Sequence, residues 1–448
     1  MEYPYALISA AAAFASYCVL LVLYRLYFSP VAKFPGPRWA AATYLYEMHY
    51  DIVMSGQYIF KIQELHQRYD PQFYSTIYSS SAPRHKWSYY TKQFGHGELG
   101  LPATGPHALH KMRRKTLDPF FSPHKVRQLE PMLRSKVERF CARLQGFKDT
   151  GKAVPIKAAM TCLATDIVTE YAFAQSYGYL DREDFFPEWT ETLTQLGKVG
   201  AVLRQVPWLV PLLDIAPTWM LQAINPGMGA IAHIKEDARA AIEGIVAQKD
   251  KGYQETKAHP TIFHELLASN MPAEEKAIPR IQNEGFSVVA AGAETTATVL
   301  AATVLHILIN PSVEKRLRAE LAECMPDASD LAPLQRLEKL PYLTGVVKEG
   351  LRLSHGSVAR LQRISDTDLG FHGQRIPAGT PCATSTLVMH TNPDIWPEPD
   401  VFRPERWLDP GERERLGRYM VAFNKGSRVC LGIKLSLDVK GSSLADQI

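Results

Sequence analysis

The stretch Phe423-Asn424-Lys425-Gly426-Ser427-Arg428-Val429-Cys430-Leu431-Gly432 sets one cysteine between two spaced glycines, just ahead of an apolar run with helical spacing. It reads as a cysteine presented on a tight loop. Gly426 permits a backbone conformation that other residues resist, and Gly432 admits the close approach of another group, so the loop can lie flat under a planar cofactor. Cys430 then opens a helix, where exposed N–H groups and the helix dipole favour an anion and make the thiolate a good ligand for iron. Arg428 is placed to meet a carboxylate of the same cofactor. A buried structural cysteine is the alternative for a lone Cys in an intracellular chain.

The pattern F-x-x-G-x-R-x-C-x-G is complete here and resembles the haem-binding loop of the cytochrome P-450 family. The resemblance implies a haem-thiolate monooxygenase with haem b as cofactor and Cys430 as axial iron ligand, its thiolate pushing electron density towards O–O cleavage. Phe423, Gly426 and Arg428 then belong to the cofactor-binding loop. The implied fold is mainly α with a small β part, the cytochrome P-450 fold, preceded by one N-terminal transmembrane helix.

A chain of 448 residues with 46% hydrophobic content suits one large, mainly helical unit. The formal charge of +4 is small for that size and does not point to nucleic acid. Cysteines at positions 18, 141, 162, 324, 382 and 430 show no paired spacing, which fits a reducing compartment.

Residues 3–24 carry no charged side chain and are long enough for one membrane crossing. Glu2 precedes them while Arg25, Lys33 and Arg38 follow, so the positive-inside tendency leaves the bulk of the chain in the cytosol. A cleaved signal peptide competes, but the stretch lacks a basic leading segment. Phe34-Pro35-Gly36-Pro37 breaks the helix and resembles the hinge behind the anchor of microsomal family members. We therefore divide the chain into an anchor (1–28), a proline-rich hinge (29–38) and a haem-thiolate catalytic domain (39–448) that is short at its C-terminal end. The anchor implies the endoplasmic reticulum membrane.

Two stretches depart from the family pattern. Relatives place a pair of short strands after the helical approach of residues 39–69, whereas here Tyr69 runs directly into Asp70-Pro71-Gln72-Phe73-Tyr74, which puts the small sheet in question. After Cys430, Ile433-Lys434-Leu435-Ser436-Leu437 gives way to the polar, glycine-containing Asp438-Val439-Lys440-Gly441-Ser442-Ser443, so the helix is expected to stop there.

Four further motifs carry chemistry. The run of residues 107–116 puts His110 and Arg114 on one helical face, either as a solvated basic surface or, by the resemblance, as contacts to the haem propionates. Residues 206–226 interleave prolines with large apolar side chains, too broken for one helix. The resemblance lays this stretch over the substrate entrance at the membrane surface; an internal helix connection is the alternative. Residues 277–310 read as a long apolar helix interrupted by Ala290-Ala291-Gly292-Ala293-Glu294-Thr295-Thr296. A buried acid there calls for a partner or a role. The resemblance gives both residues a catalytic one, Thr295 hydrogen-bonding the bound dioxygen and Glu294 relaying protons; a cap or helix bend at Thr295 is the alternative. Finally, Glu349 and Arg352 lie three apart on one helical face, and the resemblance joins them structurally to Arg406 of Phe402-Arg403-Pro404-Glu405-Arg406-Trp407. Between these, residues 363–365 and 371–379 read as strand, turn and strand, and by the resemblance Arg363 is another propionate partner while residues 357–361 face the substrate.

Three activities compete. The first is an anchored monooxygenase acting on an apolar small molecule, a terpenoid or polyketide intermediate of fungal secondary metabolism. The second is a truncated, non-catalytic relative that at most binds haem. The third, a haem-thiolate isomerase or dehydratase, has no use for the Glu294–Thr295 relay. No nicotinamide fingerprint or flavin domain occurs, so electrons are expected from an NADPH-dependent flavoprotein reductase, with Lys111, Arg113, Lys115, Lys425 and Lys434 as candidates for its docking face.

Overall fold

The computed structural model describes residues 2–65, 70–94, 99–224, 228–250, 261–326 and 332–447. Tyr69, where a strand pair was expected to be missing, lies outside the described residues. Among the described residues, ten helices of eleven residues or more carry the fold: α1 (Glu2–Leu23), α2 (His107–Leu117), α3 (Glu130–Thr150), α4 (Ile156–Phe173), α5 (Pro187–Gln205), α6 (Met228–Asp250), α7 (Ile278–Leu308), α8 (Pro311–Cys324), α9 (Pro341–Leu353) and α10 (Ile433–Gln447). Five of them, α3, α5, α7, α8 and α9, have proline in the first turn, where its missing N–H is no loss and its fixed φ already suits a helix. The fold is mainly α, as the sequence implied.

The core is built round α4 and α7. Fifteen of the eighteen residues of α4 are buried, including Asp166, whose carboxylate accepts the backbone N–H groups of Tyr179 (2.9 Å) and Leu180 (3.0 Å). Of residues 166–173 all but Glu170 are buried. α7 runs unbroken through residues 290–296, so the expected interruption does not occur. Small residues there serve helix packing: a Cβ on Gly292 would lie 2.9 Å from Val168 of α4. α7 is apolar and long enough to cross a membrane, yet Val289, Ala293, Ala297 and Leu300 are fully buried in protein. At about 1.5–3 kcal/mol for each large apolar side chain so buried, this burial holds α7 as a core helix.

Four short strands form two antiparallel pairs among the described residues. β1 (His85–Lys86) pairs with β2 (Arg363–Ile364), setting Lys86 opposite Arg363. β3 (Leu369–Phe371) and β4 (Gln374–Ile376) form a hairpin whose turn residues, His372 (φ 46°) and Gly373 (φ 75°), are both left-handed, as a two-residue turn matching the strand twist requires. No strand occurs among the described residues between 70 and 84.

α1 passes at Leu23 into one π-helical turn, Tyr24–Phe28, and residues 5–28 are apolar, unburied and long enough to span a membrane. Arg25 fastens the end of this segment by donating to the Ala42 carbonyl (3.0 Å) and lying 5.3 Å over the Tyr44 ring. Behind it, Glu47 and Asp51 are buried against Arg204 of α5 and Arg360, which ties the approach segment to the body.

At the other end the structure corrects the sequence reading. α10 continues through Asp438, Gly441 and Ser443 to Gln447. An interior glycine costs a helix about 1 kcal/mol, but Leu435 and Val439, one turn apart, are buried in the main core and outweigh it. The consequence is a helix that also buries Asp438, Lys440 and Ser443.

Candidate active site

A cavity of ≈ 560 Å³ lies between α7 and the loop before α10, with Cys430 on its wall. The loop's shape follows from its backbone. Asn424 (φ 63°) and Gly426 (φ 76°) are both left-handed, and Asn424 holds the turn through its side chain, which accepts from the Tyr74 hydroxyl (3.0 Å) and the Lys425 N–H (2.7 Å). A Cβ on Gly426 would run into the carbonyls of Tyr78 and Ser79, so glycine is required there twice over. The Cys430 N–H then donates to the Phe423 carbonyl (3.0 Å), which closes the loop. Cys430 is exposed to the cavity but largely withdrawn from bulk water; burial pushes its thiol up, while the Gly432 N–H, Lys440 and Arg114 pull the other way. The expected helix start at Cys430 is displaced to Ile433, so the helix dipole alone does not give a thiolate here. Coordination to a metal deprotonates a thiol outright.

One part of the cavity wall gathers basic side chains. His110 and Arg114 of α2, Arg363 of β2, Arg428 of the loop and Lys86 of β1 all line it. Burial first, then Arg428, Lys86, Arg114 and Arg363, push His110 down to about 2, so it is neutral. Lys86 is likewise held well below its ordinary value by burial, Arg363 and Arg428, and donates to the Pro102 carbonyl. Like charges directly opposite in a strand pair repel, so the Lys86–Arg363 register is unfavourable on its own. The two carboxylates on the wall do not relieve it: Glu284 pairs with Arg280 (2.9 Å) and Glu294 with Lys157 (3.1 Å). The arginines meanwhile donate to backbone carbonyls, Arg428 to Arg84 (3.2 Å), Thr104 (2.8 Å) and Gly105 (2.7 Å), Arg363 to Leu361 (2.9 Å) and Arg114 to Val429, and Arg114 also pairs with Asp118 (3.1 Å). A largely apolar cavity with a cysteine and a cluster of basic side chains on its wall fits a haem, whose propionates those N–H donors would meet.

Across the cavity stands α7. Thr295 faces the open space, and its hydroxyl donates to the Ala291 carbonyl (2.7 Å). Glu294 is held through Oε1 by Lys157 Nζ (3.1 Å) and the Thr298 hydroxyl (3.2 Å), while its buried Oε2 has no hydrogen-bond partner. Ser357 and Leu361 line the same space. The Cytochrome P450 family model matches residues 44–437. The chain belongs to the cytochrome P450 family.

It is 39% identical to a cytochrome P450 monooxygenase of Ascocoryne sarcoides over 94% of this chain and 87% of the relative. It is 37% identical to a tryptophan 6-hydroxylase of Fusarium equiseti (94% and 85%) and 36% identical to a conidiogenone synthase of Penicillium rubens (95% and 88%). As a P450 it is an oxidoreductase that uses haem b with a cysteine thiolate as axial ligand.

Beneath the P450 cavity, the structure brings Glu349, Arg352 and Arg406 together. The Glu349 carboxylate accepts from Arg352 Nη2 (2.8 Å) and Nε (3.1 Å), Arg406 Nε (2.9 Å) and the Trp407 indole (3.0 Å). Arg352 donates onward to the carbonyls of His390 (2.9 Å) and Val401 (3.2 Å), and the ring of His390 accepts from the Val421 N–H (3.1 Å) at the foot of the cysteine loop. The trio therefore reaches the loop through one histidine, a link absent from the sequence reading. Lys86, Lys157 and Thr298 were missed as well; Lys86 faces Arg363 and Lys157 faces Glu294, far along the chain, whereas Thr298 stands one turn from Glu294 on the same face of α7 and that spacing marks it.

The proposed docking set is corrected. Arg113 is buried, pairing with Glu275 (2.7 Å) and donating to Thr104 (2.7 Å), and Lys434 pairs with Asp438 (2.9 Å) and Glu338. Lys425 donates to the Arg418 carbonyl (2.5 Å). Lys111 and Lys115 remain exposed on α2.

Proposed function

We propose that this P450 is a membrane-anchored monooxygenase that inserts one atom of dioxygen into an apolar intermediate of fungal secondary metabolism, of terpenoid or polyketide type. The single observation that carries this reading is the largely apolar cavity with Cys430 on one wall and Glu294 and Thr295 on the opposite one. Oxygen activation is the chemistry the haem brings when bound. The chain's own residues do the rest: Cys430 ligates, His110, Arg114, Arg363, Arg428 and Lys86 hold the propionate end, and Leu361 and the apolar face of α7 exclude water. Glu294 Oε2 takes a proton and hands it towards the Thr295 hydroxyl, with Lys157 fixing the other carboxylate oxygen.

The unburied apolar segment of residues 5–28 supports a single pass in the endoplasmic reticulum membrane with the catalytic domain in the cytosol. Trp208, in the turn before a short helix (Leu209–Ile215), Leu212 and Ile215 on it, and Trp219 on the next (Thr218–Ile224) are exposed and support an entrance that dips into the membrane surface. A haem-binding relative without turnover is favoured by one observation, the buried charged face of α10. The reduced, carbon-monoxide-bound spectrum and turnover of a panel of terpenoid and polyketide substrates with an NADPH-dependent reductase decide between them. A thiolate-type Soret band with product supports the monooxygenase; the band without product from any substrate supports the relative; no haem band refutes both.

Thr295→Ala is expected to leave haem and substrate binding nearly intact while product per NADPH falls several-fold and peroxide rises, because protons no longer arrive in order. Unchanged coupling would leave Thr295 as a residue that only bonds its own helix. Exchanging Lys111 and Lys115 for glutamate is expected to slow the first electron transfer and flatten its salt dependence without altering the product. An unchanged reduction rate would move reductase docking to another face.

A further inference from the structure

Lys440 of α10 is an amine that the haem chemistry described above does not use. It is 2% exposed and lines the same cavity as Cys430. Its Nζ donates to Ser436 Oγ, one turn earlier (2.5 Å), and lies 5.4 Å from the centroid of Phe423, the aromatic residue of the cysteine loop. Burying an ammonium in such surroundings is costly unless an opposite charge faces it. The nearest acid along the helix, Asp438, is engaged with Lys434 (2.9 Å). A hydroxyl and a ring face lower the cost only in part.

We propose that the Lys440 ammonium is the counter-charge of the Cys430 thiolate, a positioning residue that acts through the sulfur and raises the reduction potential of the haem it carries. This rests on the haem-thiolate reading of Cys430. The geometry supplies both halves: α10 leaves the loop and returns Lys440 to the cavity wall, over the ring of the loop's own Phe423. Lys440 and Cys430 share one cavity, and the attraction between amine and sulfur strengthens once the sulfur is anionic. When the reductase adds one electron, the site becomes more negative by one charge, and no bond forms or breaks. A neighbouring cation stabilises that reduced form more than the oxidised form, and it also withdraws density from the thiolate.

The experiment measures the haem reduction potential, the thiolate-type Soret band and thermal melting for the full-length parent, Lys440→Met and Lys440→Arg. Lys440→Met keeps the volume and removes the charge. It is expected to lower the potential by about 59 mV, a tenfold shift in a one-electron equilibrium, while melting no lower than the parent because a desolvated charge is gone. Lys440→Arg is expected to restore most of the potential. A parent with a thiolate-type Soret band and the same potential in all three proteins overturns the proposal alone, as does a Lys440→Arg shift as large as that of Lys440→Met. A parent without that band overturns the haem-thiolate reading and the proposal with it.

Discussion

Replacing Cys430 by serine is expected to reduce oxygenation to background and to remove the thiolate-type Soret band, the largest functional effect of any single change in this chain. The loop itself does not depend on sulfur: the Cys430 N–H still reaches the Phe423 carbonyl, and Asn424 and Gly426 still set the turn. Haem can therefore still enter, held by the basic side chains at the propionate end, but without the anionic donor that pushes on the O–O bond. Retained haem with a shifted Soret band and no product is the expected result. Normal turnover in Cys430→Ser would remove Cys430 from the axial position.

The largest effect on stability is expected from Arg352→Met. Arg352 and Glu349 are both fully buried, and removing one partner of a buried pair costs about 3–5 kcal/mol because a carboxylate is left with too few donors. Against a net stability of about 5–15 kcal/mol that loss is enough to unfold much of the protein. The carbonyls of His390 and Pro399 lose the Arg352 guanidinium at the same time, and the link through His390 to the cysteine loop loosens. Low haem content and a markedly lower melting temperature are expected, and Arg352→Lys is not expected to rescue, since one ammonium cannot reproduce a planar fork that bonds Glu349 and three carbonyls at once. Full haem incorporation and an unchanged melting temperature in Arg352→Met would show that the trio is dispensable.

The route from Cys430 to Arg352 shows where local reading ends. The cysteine loop, α7 with its Glu294 and Thr295, and the Glu349–Arg352 spacing are short-range patterns: each is fixed by backbone freedom at a glycine, by helical periodicity or by an i,i+3 pair, so each stands in the sequence itself. The N-terminal segment long enough to span a membrane is legible for the same reason, since its length and apolar character are local properties. The partners are not. Arg113 was read as a surface cation because its charge is plain and its burial is not; it turns inward because Glu275, distant in sequence, offers it a carboxylate there.

The sequence by itself determined the family, the fold class, the cysteine, the acid and hydroxyl of α7, and the acid–arginine pair of α9. Tertiary structure alone decided that Lys86 stands opposite Arg363, that Lys157 holds Glu294, and that α10 runs on through Gly441 with Lys440 turned to the haem cavity. The reason is physical. Propensity and spacing act over a few residues, whereas the cost of a buried charge is set by what the fold brings to face it, and strand pairing and helix packing join residues that the chain keeps far apart.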